Sequence, residues 1–139
     1  MRGCKKYKVW YNMLNENDKL VRVIVIWRGD IMNNFSIHEM LEMQQVLQDK
    51  YKDKWEHICP KTGKNKLLWM IGEIGEVIDI IKKNGDTKAI ENPELRKHLI
   101  EEMADVLMYY NDVLLCYGIS EEELKETYIS KFEKNMKRW

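Results

Sequence analysis

The stretch Leu67–Lys83, LLWMIGEIGEVIDIIKK, leaves few options for the fold. Leu67, Ile71, Ile74, Ile78 and Ile81 recur every three or four positions, the spacing of an amphipathic helix with one buried stripe. Glu73 and Glu76 interrupt the apolar run at i,i+3, side by side on one face and a turn from Trp69. Gly72 and Gly75 alternate with them. A glycine inside a helix costs about 1 kcal/mol relative to alanine. Two of them three residues apart predict a close approach there, by a partner helix or a ligand.

An E-x-x-E pair in a chain that is 33% charged is also what an ordinary solvated face looks like. A second stretch, Glu101-Glu102-Met103-Ala104-Asp105, shifts the balance. Glu102 and Asp105 repeat the i,i+3 geometry, again within a long apolar run. Glu101 is as plausible a partner for Asp105, being four residues before it. Four carboxylates brought together without cations repel one another and resist burial. A hard divalent cation with oxygen ligands relieves that repulsion, so the spacing predicts Mg²⁺, with Mn²⁺ as the other choice.

Several chemistries are excluded by what the acids lack. Diiron carboxylate bundles need E-x-x-H pairs, whereas the third residue after Glu73 is Glu76 and after Glu102 is Asp105. His98 precedes Glu102 by four residues instead. Gly63-Lys64-Asn65 lacks both the first glycine and the Ser/Thr of a phosphate-binding P-loop. All-carboxylate ligation points to phosphate chemistry, where a cation neutralises phosphate charge and catalysis is mostly positioning and electrostatics.

The rest of the chain reads as helices. Ser36 and Glu39 form an S-x-x-E capping box, with Phe35 as a staple, for a first helix whose inner face is Ile37, Met40, Leu41, Gln44, Leu47 and Tyr51. His38, in its first turn, is expected to be exposed. Lys54–Asn65 reads as a loop because of Pro60 and Gly63, and carries Trp55, His57 and Lys61 just before the carboxylate helix. That helix is expected to stop at Asn84-Gly85. Asn92-Pro93 starts a third helix running to Gly118, with Leu95, Leu99, Met103, Val106, Tyr110, Val113 and Tyr117 as its core stripe. Glu102, Asp105, Tyr109 and Asp112 lie on a neighbouring face. Ser120 and Glu123 cap a fourth helix, with Leu124, Tyr128, Phe132, Met136 and Trp139 expected inside. Its Lys131, Asn135 and Arg138 share one face: a cationic helix end favoured by the macrodipole, or donors aimed at phosphates. The expected fold is a small all-α, four-helix bundle.

Residues 1–31 fit the rest poorly. Leu20–Trp27 is the one strand-like run and has no partner strand. The segment is expected to be an N-terminal arm, or a leader that is not native, with Met32 as the true start. A purine-rich ribosome-binding-site-like run can encode Trp27-Arg28-Gly29-Asp30. The expected organisation is thus an extension over 1–31 and one domain over 32–139. Zero formal net charge leaves no footprint for a nucleic-acid polymer. Three cysteines at no metal spacing suggest free thiols in a reducing compartment. No secretory signal or membrane-spanning run is visible, so a cytoplasmic protein is expected.

Glu73-x-x-Glu76 followed by Glu102-x-x-Asp105 resembles the signature of the MazG-like, all-α nucleoside triphosphate pyrophosphohydrolases. The resemblance extends over roughly residues 33–138 and takes in Trp55, His57, Pro60-Lys61, the GEIGEVIDIIKK and EEMADVLMYY runs and Lys131-x-x-x-Asn135-x-x-Arg138. It implies Mg²⁺-dependent hydrolysis of a nucleoside triphosphate to the monophosphate and pyrophosphate. By carry-over, Glu73, Glu76, Glu102 and Asp105 bind metal and one of them orients or deprotonates water. Lys131, Asn135 and Arg138 contact phosphates, while Trp55, His57, Lys61 and Tyr109 lie around the nucleotide. It also implies a homodimer or homotetramer, which the many Met, Tyr and Trp residues of so short a bundle favour. The other reading is a non-catalytic nucleotide- or metal-binding helical module.

Overall fold

Asn92 illustrates how locally this chain specifies its helices. Its side chain accepts hydrogen bonds from the N–H groups of Glu94 (3.0 Å) and Leu95 (3.2 Å), and Pro93 takes the first helical position, where no N–H is needed. At the far end Gly118 adopts the left-handed conformation (φ 61°), and the N–H of Ile119 reaches back to the Leu114 carbonyl at 2.9 Å. Ser120 and Glu123 close a reciprocal capping box at 3.2 and 2.9 Å. The computed structural model describes residues 35–138. They form helices α1 (Ile37–Lys50), α2 (Pro60–Asn84), α3 (Lys88–Glu91), α4 (Pro93–Tyr117) and α5 (Glu121–Met136), with no strand among the described residues. The chain divides into a unit Met1–Ser36 and a unit Ile37–Trp139 holding all five helices. The strand expected over Leu20–Trp27, the arm or leader over 1–31 and the burial of Trp139 lie outside the described residues.

The carboxylate helix begins earlier than its apolar pattern suggests. Lys54–Asn65 is not all loop, because α2 starts at Pro60. Proline at N1 needs no partner for its nitrogen. Thr62 Oγ1 accepts from the Cys59 N–H (3.3 Å) and donates to the His57 carbonyl (2.6 Å), which fixes the entry into the helix. Gly63 is therefore a helical residue. A Cβ there would lie 2.7 Å from the Tyr117 ring, so it is Gly63 that permits close approach of two helices. Gly72 and Gly75, where close approach is expected, would have nothing within 4 Å of a Cβ.

The main packing is α2 against α4, each 25 residues and roughly 37 Å long. They run antiparallel, since the start of α2 meets the end of α4. Helix α1 and the short α3 pack on α4. Buried apolar residues are few: Ile80, Ala89, Leu114 and Cys116. The stripe Leu67, Ile71, Ile74 and Ile78 is exposed rather than buried, as are Met103 and Tyr117 from the α4 stripe and Tyr128, Phe132 and Met136 on α5. The reason lies in the register: α2 turns the seam of Lys66, Trp69 and Glu73, not the Ile71–Ile74–Ile78 stripe, towards α4. The apolar stripe is left without a partner in this one chain. Helix α5 shares almost no packing with the other helices. His38, exposed as expected, joins its first turn to α1 through Glu121 (2.9 Å) and also meets Glu42 (3.4 Å).

Candidate active site

The antiparallel register converts the i,i+3/i+4 spacing of two helices into one seam. Each turn forward along α2 meets a turn back along α4. Thr62 Oγ1 lies 3.7 Å from Cys116 Sγ. One turn on, Lys66 Nζ lies 3.2 Å from Asp112 Oδ2. Next, the rings of Trp69 and Tyr109 stack at 6.5 Å and 15°. Finally Glu73 meets Glu102 and Asp105, with one oxygen from each acid within 4.8 Å of the others.

Three of the four acids singled out in the sequence come together here. Glu102 is largely enclosed, its side chain 17% exposed, and His98 Nε2 holds it at 3.0 Å from one turn earlier on α4. Glu73 is half-buried, and its carboxyl is held above the ordinary range, first by burial and then by the charges of Asp105, Glu102 and Glu76. Glu76 lies outside the group of three, although its charge is felt there. The Tyr109 hydroxyl is likewise raised, by burial first and then by Glu73, Asp112 and Asp105. Three carboxylates with oxygens this close are a donor set that a hard divalent cation fits.

A cavity of about 960 Å³ extends from Asp105 along the seam. Trp69, Gly72, Met108 and Tyr109 line the end near the acids, while Gln44, Lys66 and Asp112 line the other. Trp55, Glu56 and Asn65 make a wall, braced by the Asn65–Glu56 hydrogen bond (2.8 Å) and by Trp55 packing on Tyr51 at 4.6 Å between rings. Its size suits a drug-sized ligand.

The structure therefore brings Trp55 and Tyr109 to the same cavity as Asp105. His57 faces a separate, smaller pocket with Gln45, Asp49 and Lys52. Lys61 is exposed at the start of α2; Lys131 and Asn135 lie on the exposed α5, whereas Arg138 falls two residues past its end at Met136 and so does not continue their helix face. Lys66 and Gln48 escape the sequence reading, and Asp112, placed there on one face with Glu102, Asp105 and Tyr109, is engaged by buried donors instead of joining the acids. Asp112 is 3% exposed at the side chain and accepts from Gln44 Nε2 (2.8 Å), twice from Gln48 Nε2 (2.9 Å each) and from Lys66. One signal was available: Gln44 and Gln48 sit at i,i+4 on the inner face of α1.

Sequence comparison bears on the same residues. The family model described as the MazG nucleotide pyrophosphohydrolase domain matches residues 61–138, more than half of the chain and every acid of the cluster. No curated protein and no solved structure matches it. No helix among the described residues is long and apolar enough to cross a membrane.

Proposed function

The chain belongs to the MazG nucleotide pyrophosphohydrolase family, and from that premise we propose that it hydrolyses a nucleoside triphosphate, ribo or deoxy, to the monophosphate and pyrophosphate with Mg²⁺. The observation that carries this reading is the meeting of Glu73 and Glu102 with Asp105, which itself lines one end of a nucleotide-sized cavity. Glu73, Glu102 and Asp105 would hold the cation, and Glu76 is the fourth acid of the set. When bound, the cation neutralises phosphate charge and makes water acidic enough to attack near neutral pH.

The chain's own residues do the rest. His98 keeps Glu102 in place. A carboxylate of the set orients the attacking water and takes its proton. The oxygen adds to the α-phosphorus, the bond from that phosphorus to the bridging oxygen of the β-phosphate breaks, and pyrophosphate leaves with the electron pair. Trp69 and Tyr109, stacked beside the acids, hold the nucleoside, and Trp55 closes the wall opposite. Lys61, Lys131, Asn135 and Arg138 are the proposed phosphate donors, and His57 is a peripheral contact.

The chain is proposed to act as a homodimer or homotetramer. Leu67, Leu68, Ile71 and Ile78 on α2, Ile100, Met103 and Leu107 on α4, and Phe132 and Met136 on α5 are exposed, a larger apolar surface than a soluble monomer keeps in water. Housekeeping of the cytoplasmic nucleotide pool is the corresponding role. Glu102→Gln and Asp105→Asn test the assignment against a binding module that turns nothing over. Each variant should keep its helical circular dichroism and lose pyrophosphate release on the order of 100-fold or more. Unchanged turnover in both removes the acids from catalysis.

A further inference from the structure

The cluster at the inner end of the cavity has more order than packing requires. An ionised carboxylate has about four acceptor sites. Asp112 fills them with contacts from Gln44, Gln48 and Lys66. It therefore has little capacity left for a ligand and acts by holding its donors in place. The carboxamide nitrogens of both glutamines must face an acceptor-only group, so their carbonyl oxygens face away from it. Gln44 lines the cavity, and with its Nε2 committed to Asp112 its Oε1 is the atom it has left to offer there; no described residue donates to that oxygen. Lys66 gives one N–H to Asp112 and has two more. The cavity wall thus offers a fixed cationic donor beside a carbonyl acceptor.

The register sets what meets them. Asp112 is two turns, about 10 Å, along α4 from Asp105. That matches the reach from a phosphate held at the acids to the far edge of a base. In pyrimidines and purines alike, the ring substituent farthest from the glycosidic bond is the 4- or 6-oxygen, or the amine in its place. It arrives first at Lys66. A carbonyl accepts from the ammonium, and its neighbouring ring N–H donates to Gln44 Oε1. An exocyclic amine instead sets donor against donor in a partly desolvated site.

Resting on the pyrophosphohydrolase reading, we propose that Lys66 and Gln44, positioned by Asp112 and Gln48, select 4-oxo and 6-oxo nucleobases over their amino counterparts.

Two matched pairs test it: UMP against CMP and IMP against AMP, titrated into the full chain by tryptophan fluorescence, since Trp55 and Trp69 line the cavity. Pyrophosphate release from the matching triphosphates is measured in parallel. The expected preference for the oxo base is about 10–100-fold in both pairs. Lys66→Met should reduce both ratios to roughly unity while Mg²⁺ affinity is kept. Where that variant does not fold, Lys66→Met/Asp112→Asn, which removes both charges, replaces it. Equal or reversed preference in the wild type overturns the proposal, as does a ratio that survives loss of Lys66, and so does failure of every monophosphate to bind. Oxo-selective binding without pyrophosphate release would refute the reaction and leave the selectivity standing. Pyrophosphate release that favours amino bases would do the reverse.

Discussion

Replacing Asp112 with alanine strands a buried ammonium. Lys66 is 6% exposed at the side chain, and Asp112 is the one acceptor it meets among the described residues. Breaking a buried ion pair by removing one partner costs about 3–5 kcal/mol, because the remaining charge is left uncompensated. Gln44 and Gln48 also lose their acceptor, but Gln44 borders the cavity and water can replace part of that loss. A loss of about 3–5 kcal/mol lowers Tm by roughly 10–20 °C in a domain of this size. Urea titration followed by circular dichroism, at equal protomer concentration, should show a lower midpoint with an unchanged slope. The double variant Lys66→Met/Asp112→Leu removes both charges and should recover most of the loss, to within about 1–2 kcal/mol of wild type. A loss below about 1 kcal/mol in Asp112→Ala would refute the reasoning, because it would mean water reaches Lys66 freely. A double variant no better than the single would refute it too.

Other outcomes follow from the same geometry. Glu73→Gln removes a charge that lies within 4.8 Å of two others; at near-water screening each such pair is worth roughly 1 kcal/mol. The metal-free variant should be about 1–2 kcal/mol more stable and lose its stabilisation by Mg²⁺, as thermal melts with and without the cation will show. Because the Glu73 carboxyl titrates above its ordinary value, the folded state holds its proton more tightly than the unfolded chain does. The metal-free protein should therefore gain stability from Glu73 as pH falls through its folded pKa towards 4.5, while Mg²⁺ affinity measured calorimetrically falls over the same window. Gly72→Ala and Gly75→Ala meet no neighbouring atom, so each should stabilise the fold by about 0.5–1 kcal/mol. Of the two, Gly72→Ala narrows the cavity and should raise KM, a split that steady-state kinetics will reveal.

Helix boundaries were legible where a cap is written in the side chains: Asn92-Pro93, Gly118 and the Ser120–Glu123 box all fall where the sequence puts them. The start of α2 was hidden because Pro60 and Gly63 also read as turn residues, and only the Tyr117 ring explains why a glycine belongs inside that helix. The sequence put four acids at i,i+3 on two helices, but only the register with α4 decides that Glu73, and not Glu76, meets Glu102 and Asp105. The Lys66–Asp112 pair was not legible, since a lysine and an aspartate look the same in sequence whether solvated or buried. The apolar period of α2 found a real stripe but not its destination. Periodicity says which residues share a face, and the register with α4 decides which face turns inward.

The hydrolysis itself is tested by incubating the chain with a panel of ribo- and deoxynucleoside triphosphates, with Mg²⁺ or with chelator, and identifying the products by chromatography. Monophosphate and pyrophosphate should form in equal amounts, abolished by chelator and by Glu102→Gln. Diphosphate with orthophosphate, or turnover that survives the chelator, would contradict it.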